Sequence, residues 1–323
     1  RWIEVLAVRT EHITVICLKE GVHTLPKNVQ VLSLGKETKP SRLSYVWLFY
    51  KYLFYLRGTY DVVFVHMNQE YVLLGAPWWK LARTPLYLWR NHYAGGLLTD
   101  IAAALSKKVF CTSKYSYTAK YGKTVIMPVG IDTDFFSPQQ SISRVPRSIL
   151  FYGRMAPSKN PHVLLDALTI LARKGVDFTA TFRGTALPKD AAFAQELKKR
   201  AQESGLEHVS FEPGLPHREG PRIVSAAEIF VNLGASGMYD KMIFEAAACG
   251  ALSLASSLDY AELVDPSLSF EACNAEQLAS KLEALLSMSR EAREGASKKL
   301  REMVVERHSL ASLSERLYSE MSD

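Results

Sequence analysis

Short apolar runs alternate with longer amphipathic stretches along most of this chain. Ile13–Leu18 and Val29–Leu34 have the pattern of strands, and Ser41–Arg57 that of a long, aromatic-rich helix. Asp61–Met67 then predicts a strand, Glu70–Ala82 a helix and Leu86–Trp89 a strand. Gly96–Leu105 follows as a helix, with Lys108–Thr112 and Val125–Pro128 as strands. Such alternation predicts a parallel sheet covered by helices on both faces. The rhythm stops at Pro128-Val-Gly-Ile-Asp-Thr-Asp-Phe-Phe-Ser-Pro138 and the polar stretch after it, which contains Pro146. A second series starts at Ser148–Tyr152 and continues through Phe178–Phe182, Val209–Phe211, Ile229–Leu233 and Leu252–Ala255. From Ala275 onward the period is helical. The expected organisation is α/β throughout: a domain over 1–135, a linker over 136–147 and a second domain over 148–323.

The densest candidate chemistry lies at 231–256. A strand ends at Leu233, a loop runs from Gly234 to Met238, Asp240 is placed as helix N-cap, and Lys241–Cys249 is Ala-rich and helical up to Gly250. One carboxylate, Glu245, sits in that helix beside Ile243, Phe244 and three alanines. In such company it needs a hydrogen-bonding or charged partner. The loop before it offers backbone N–H groups at a helix N-terminus, a seat for phosphate. Phosphate and hydroxyl groups together point to a nucleotide; a core glutamate satisfied by a neighbouring arginine is the competing reading.

The second series opens with Ile149-Leu-Phe-Tyr-Gly153-Arg154-Met-Ala-Pro-Ser-Lys159-Asn160-Pro161. A strand runs into a glycine turn, and Asn160 is expected to cap a helix with Pro161 at its first position. Val163, Leu164, Ala167, Leu168 and Leu171 form the apolar face of that helix. Arg154 and Lys159 therefore lie outside the carboxyl end of a parallel strand, where doubly wound sheets bind ligands. An arginine fork and a lysine point charge suit a pyrophosphate, although a solvated loop pair has the same spacing.

Composition narrows the classes. The 323 residues are 48% apolar and 22% charged, as in a globular protein of two ordinary domains. Cys17, Cys111, Cys249 and Cys273 are scattered with no C-x-x-C pairing, which argues against a disulfide framework or zinc site and fits a reducing cytoplasm. Residues 1–135 carry 17 Lys or Arg against 9 Asp or Glu, a net of +8 within a total of +6. That basic half implies an anionic partner. No helix-turn-helix, zinc finger or single-strand-binding pattern accompanies it, so nucleic acid is not expected. No Gly-x-Gly-x-x-Gly follows a strand, which weakens a nicotinamide-dependent oxidoreductase. The longest apolar stretches, Tyr45–Phe54 and Tyr71–Trp79, are too short to span a bilayer. Ser41–Arg57, with its aromatics between Arg42, Lys51 and Arg57, has the make-up of a helix lying on an acidic membrane; packing on its own sheet is the alternative.

Together, Tyr152-Gly153-Arg154-x4-Lys159, the Pro128–Pro138 segment and Glu245-Ala-Ala-Ala-Cys-Gly250 resemble the retaining family-4 glycosyltransferases of the GT-B fold. The resemblance covers nearly the whole chain and implies two Rossmann-like doubly wound domains facing across a cleft. It implies that Gly153, Arg154 and Lys159 meet the diphosphate of a nucleotide diphosphate sugar, that Glu245 bonds its ribose hydroxyls, and that Gly237, Met238 and Tyr239 approach the sugar or distal phosphate. His92, in Asn91-His92-Tyr93-Ala94-Gly95-Gly96, matches the family's sugar-contacting histidine, and Gly130 and Asp132 match its hinge loop. The family usually has a second glutamate eight positions before Glu245, where this chain has Gly237; Asp240-Lys241 lies between, and Lys241 is a further phosphate contact. Val129 replaces a common asparagine. The family's first strand and glycine-rich loop have no counterpart ahead of Arg1-Trp-Ile-Glu-Val-Leu-Ala, which reads as part of an amphipathic helix, so a fragment lacking that strand is expected.

The activity implied is retaining transfer of a sugar to an acceptor hydroxyl in cell-surface polysaccharide or glycolipid synthesis, by a cytoplasmic enzyme at the inner face of the plasma membrane. No cofactor or metal is expected: Asp132-Thr133-Asp134 has metal-site spacing but fits the hinge. A truncated, non-catalytic nucleotide-sugar binder is the alternative.

Overall fold

The computed structural model describes residues 1–38 and 41–322. The chain divides into two compact units, Arg1–Gly130 with Leu310–Asp323, and Ile131–Ser309. The first contains α1 (Trp2–Ala7), β1 (Ile13–Cys17), β2 (Val29–Ser33), α2 (Arg42–Tyr55), β3 (Val63–His66), α3 (Glu70–Leu81), β4 (Leu86–Trp89), α4 (Leu97–Leu105), β5 (Lys108–Cys111) and β6 (Thr124–Ile126). The second contains β7 (Ser148–Tyr152), α5 (Pro161–Arg173), β8 (Thr179–Arg183), α6 (Ala191–Glu203), β9 (Val209–Glu212), α7 (Gly220–Ala226), β10 (Ile229–Asn232), α8 (Lys241–Ala248), β11 (Leu252–Ala255), α9 (Leu258–Ala261), α10 (Ala275–Ser287) and α11 (Arg290–His308). The last helix, α12 (Leu310–Ser322), returns to the first unit.

Every strand pairing is parallel, as the βα alternation requires. In the second unit the order is β11-β10-β7-β8-β9. Strands β4, β10 and β11 are buried along their whole length, so their sequences carry no solvent-facing charged positions; the polar exceptions, Asn232 and Ser253, are themselves buried. In the first unit β1 and β2 form one pair and β3-β4-β5-β6 a four-stranded sheet. Leu34 just past β2, Phe49 and Leu53 of α2, Val65 of β3 and Leu88 of β4 share one core, with Ile16 of β1 against it. No strand among the described residues pairs with the second edge of β1 or of β3.

The division differs from the expected one at two places. Residues 131–135, expected in the first domain, and 136–147, expected as a linker, both belong to the second unit: Phe136 is buried, the Val145 N–H donates to the Ala226 carbonyl at 2.8 Å, and Arg144 Nη2 donates to the Cys249 carbonyl at 3.3 Å. Proline and glycine mark irregular backbone, but not what that backbone packs on. The other difference is α12, whose Leu310, Leu313 and Leu317 enter a core with Tyr87, Trp89, Phe110 and Trp2 of the first unit. Its helical period was plain in the sequence; its partner, more than two hundred residues away, was not.

Candidate active site

Strand β7 is the pivot of the second sheet. From it the chain moves outward through α5 to β8 and β9, then returns through α7 to β10 on β7's other side. The loops leaving the carboxyl ends of β7 and β10 therefore flank the switch point of the sheet, where doubly wound folds bind ligands. These are the Gly153–Asn160 loop and the Leu233–Asp240 loop. Two side chains tie them together. Asn160 Nδ2 donates to the Leu233 carbonyl at 3.2 Å, and Lys159 Nζ meets Asp240 Oδ2 at 2.6 Å. Asp240 also caps α8, its Oδ1 accepting from the Met242 N–H at 3.3 Å. Asn160 departs from expectation: it precedes α5 but makes no side-chain cap, because its φ of +50° turns the amide toward Leu233 instead. Arg154 is exposed, and its guanidinium makes no hydrogen bond or ion pair among the described residues.

The loop before α8 is held from below. Gly237 has φ +87° and donates its N–H to Oδ2 of the buried Asp259 at 2.9 Å. The Tyr239 hydroxyl donates to the Asp259 carbonyl at 2.9 Å, and the Leu258 N–H donates to Ser236 Oγ at 2.9 Å. Met238, between these anchors, is exposed. The φ at Gly237 lies where a Cβ is strained, a physical reason for glycine at this position. Gly237→Ala is expected to lower stability by about 1–2 kcal/mol, the left-handed penalty of a residue with a Cβ. An unchanged midpoint in thermal unfolding would show that the loop relaxes freely.

Glu245 lies one turn and a half into α8 and is only 7% exposed. Burial pushes its carboxyl up to about 7; Lys241 one turn earlier pulls it down and Asp240 adds to the rise. No arginine among the described residues reaches it. Arg144 and Arg301, the nearby candidates, bond the Cys249 and Ala248 carbonyls and so satisfy the other end of α8. His217 stands against the carboxylate, Nε2 to Oε1 3.7 Å, with its ring stacked on Phe135 at 5.7 Å. A buried carboxylate with no arginine among the described residues against it can accept hydrogen bonds from a ligand that reaches it.

The remaining candidates lie elsewhere. His92 belongs to the first unit, in the loop after β4. Its Nδ1 accepts from the Ala94 N–H at 2.9 Å, which leaves the proton of the neutral ring on Nε2. Asn91 pins the same loop, its Oδ1 accepting from the Thr112 N–H at 3.1 Å and Ser116 Oγ at 3.0 Å. Gly130 has φ +76°, and a Cβ there would stand 2.3 Å from Leu313 Cδ2. Asp132 Oδ1 accepts from the Phe135 N–H at 3.2 Å, closing a turn. The structure thus gathers Gly153, Arg154, Lys159, Gly237, Met238, Tyr239, Lys241 and Glu245 at one switch point within the second unit. Asp259 and His217 join them without having been singled out from the sequence. Both follow the carboxyl ends of strands in the same sheet, β11 and β9, and that placement is the signal that finds them.

A doubly wound parallel sheet with two loops and a capped helix meeting at its switch point defines an α/β protein of the ligand-binding Rossmann-like class. The model of glycosyl transferases group 1 matches residues 132–303, more than half of the sequence, and the chain belongs to that family. The fold is that of GT-B glycosyltransferases. HepE of Anabaena, in a crystal structure with UDP and glucose, superposes with a TM-score of 0.78 at 18% identity, covering 100% of this chain and 95% of that one. A glycosyltransferase from Rickettsia africae gives 0.81 at 17% identity, covering 99% and 92%. Sucrose-phosphate synthase of Thermosynechococcus elongatus gives 0.75 at 17%, covering 98% and 90%. No curated protein matches the sequence.

Proposed function

We propose that this chain is a retaining glycosyltransferase of the family-4 type, moving a sugar from a nucleotide diphosphate sugar to an acceptor hydroxyl. One observation carries the reading: the Lys159–Asp240 and Asn160–Leu233 contacts bring a cationic loop, a capped helix N-terminus and the carboxylate of Glu245 to one switch point. In this reading Arg154 and Lys159 grip the diphosphate, Lys241 and the α8 N-terminus add positive potential, and Glu245 accepts from the ribose hydroxyls. Met238 and Tyr239 stand beside the distal phosphate and sugar, and Gly130 and Asp132 form the hinge loop. HepE was crystallised with UDP-glucose as well as with UDP, so UDP-sugars are the first donors to test.

Chemically, the bond from the anomeric carbon to the phosphate oxygen breaks with its electron pair leaving on the diphosphate. The acceptor oxygen bonds the same face of that carbon, and its proton passes to the departing phosphate. The growing charge is met by Arg154, Lys159 and the helix N-terminus, so the route needs no metal. His92 orients the sugar through its Nε2–H. The setting proposed is cell-surface polysaccharide or glycolipid synthesis at the cytoplasmic side of a membrane.

Calorimetry with UDP and GDP, followed by nucleoside diphosphate release across a panel of UDP- and GDP-sugars, tests this directly. One nucleotide is expected to bind, and the anomeric coupling constant of the product by NMR is expected to show retention. Failure of both nucleotides to bind overturns the donor site, and an inverted product overturns the retaining route.

A further inference from the structure

Helix α2 has two apolar faces. Phe49 and Leu53 point into the core of the first unit, with Leu48 and Tyr52 against it. On the opposite side Leu43, Trp47, Tyr50 and Phe54 follow one another at spacings of four, three and four residues, which aligns them in a single stripe. All four are exposed: 81%, 67%, 43% and 60%. The stripe continues onto α3, where Trp78 lies 6.4 Å from Phe54 between ring centroids, the Tyr50 hydroxyl donates to the Leu74 carbonyl at 2.9 Å, and Leu81 is 85% exposed. A surface helix normally keeps its outer face polar, so this second face calls for a covering partner.

The charges select that partner. Segment 41–57 contains Arg42, Lys51 and Arg57 and no aspartate or glutamate; α3 and the turn after it add Lys80 and Arg83 against one acid, Glu70 at the helix start. Two of the cations lean on the stripe itself, Lys51 Nζ 5.5 Å from the Trp47 ring and Arg57 Cζ 4.0 Å from the Phe54 ring. A second copy docked across a two-fold axis would set this net cationic patch, five basic side chains to one acid, against itself. A layer that is anionic at its surface and apolar just beneath accepts both features at once, with tryptophan and tyrosine at the boundary and lysine and arginine at the headgroups. No helix among the described residues is long and apolar enough to cross a membrane, and at 14 residues α2 fits an orientation in the membrane plane.

We propose that the exposed stripe of α2 and its continuation on α3 is a binding face for an acidic lipid bilayer, into which Leu43, Trp47, Tyr50 and Phe54 insert while Arg42, Lys51, Arg57, Lys80 and Arg83 meet the headgroups. This goes beyond the proposed glycosyl transfer and stands or falls apart from it.

Flotation of the full chain with phosphatidylglycerol–phosphatidylcholine vesicles, against phosphatidylcholine alone, is the test. Binding is expected on the acidic vesicles, weaker on the neutral ones and falling with added salt. Trp47→Ser with Phe54→Ser is expected to abolish it, and Lys51→Glu with Arg57→Glu to lower partitioning about tenfold or more. These positions are exposed, so circular dichroism and thermal unfolding should stay as in the parent chain. Absence of binding to acidic vesicles, or binding that both double variants retain, overturns the proposal. So does sedimentation equilibrium showing a dimer that Trp47→Ser disperses, since a second copy then covers the stripe.

Discussion

Glu245→Gln is expected to make the protein more stable at pH 8 while weakening donor binding about ten- to a hundredfold. The carboxyl of Glu245 is raised by burial from an ordinary value of 4.5 to about 7. An acid with a folded-state pKa above its unfolded one holds its proton more tightly when folded. Stability is therefore highest below pH 4.5, falls as pH rises to about 7 and is constant beyond. At about 1.4 kcal/mol per pH unit, the ionised side chain lowers stability at pH 8 by up to about 3 kcal/mol, less whatever the site relaxes. Asp240 strengthens this effect and Lys241 opposes it. His217 faces the same oxygen from the loop after β9. Glutamine removes the ionisation and keeps the shape, so the melting temperatures of the two proteins should separate at pH 8 and converge toward pH 5.

Binding should move the other way. Hydroxyls that donate to Glu245 favour its charged form, so nucleotide affinity in the parent chain should rise with pH up to about 7. Losing a charged acceptor weakens a hydrogen bond by about 1.5–3 kcal/mol, and the glutamine variant should show neither the affinity nor its pH dependence. A variant that gains stability at pH 8 but binds nucleotide as tightly as the parent would leave Glu245 a buried liability with no role at the ribose.

How much of this was legible beforehand depends on how local the determinant is. The bounds of β4, β7 and β11 are those expected from the sequence, and Asp240 caps α8 as its position before Lys241 implies. Arg154, Lys159 and Glu245 could be singled out because a strand-end loop and a helix start carry their own chemistry. Asp259 offers only its place after β11; nothing near it in sequence announces that its carboxylate holds Gly237 from 22 residues away. His217 is the same case against Glu245. Asn160 shows a local rule overridden: a good N-cap residue is drawn into the left-handed region by a carbonyl on the neighbouring loop. The outer stripe of α2 was visible as composition, but whether those rings face a core or solvent is decided by tertiary packing alone.

Lys159→Ala is expected to reduce kcat/KM about a hundred- to a thousandfold, the scale seen when one preorganised charge stabiliser is removed. Two effects combine in that number. The lysine no longer meets the diphosphate, and Asp240, which it neutralises at 2.6 Å, is left as an uncompensated anion beside the approaching phosphates. Asp240→Asn separates them. Asparagine caps a helix about as well as aspartate, so α8 should keep its start, while Lys159 becomes available to the donor and one repulsive charge disappears. The single variant should therefore bind nucleoside diphosphate a few-fold more tightly, a change of under about 1.4 kcal/mol. In Lys159→Ala with Asp240→Asn, part of the affinity lost with the lysine should be recovered, because the orphaned carboxylate is gone. Dissociation constants for all four proteins by calorimetry give the coupling energy. If the two changes simply add, Asp240 exerts no force on the bound diphosphate and the Lys159 contact serves only to fasten the two loops.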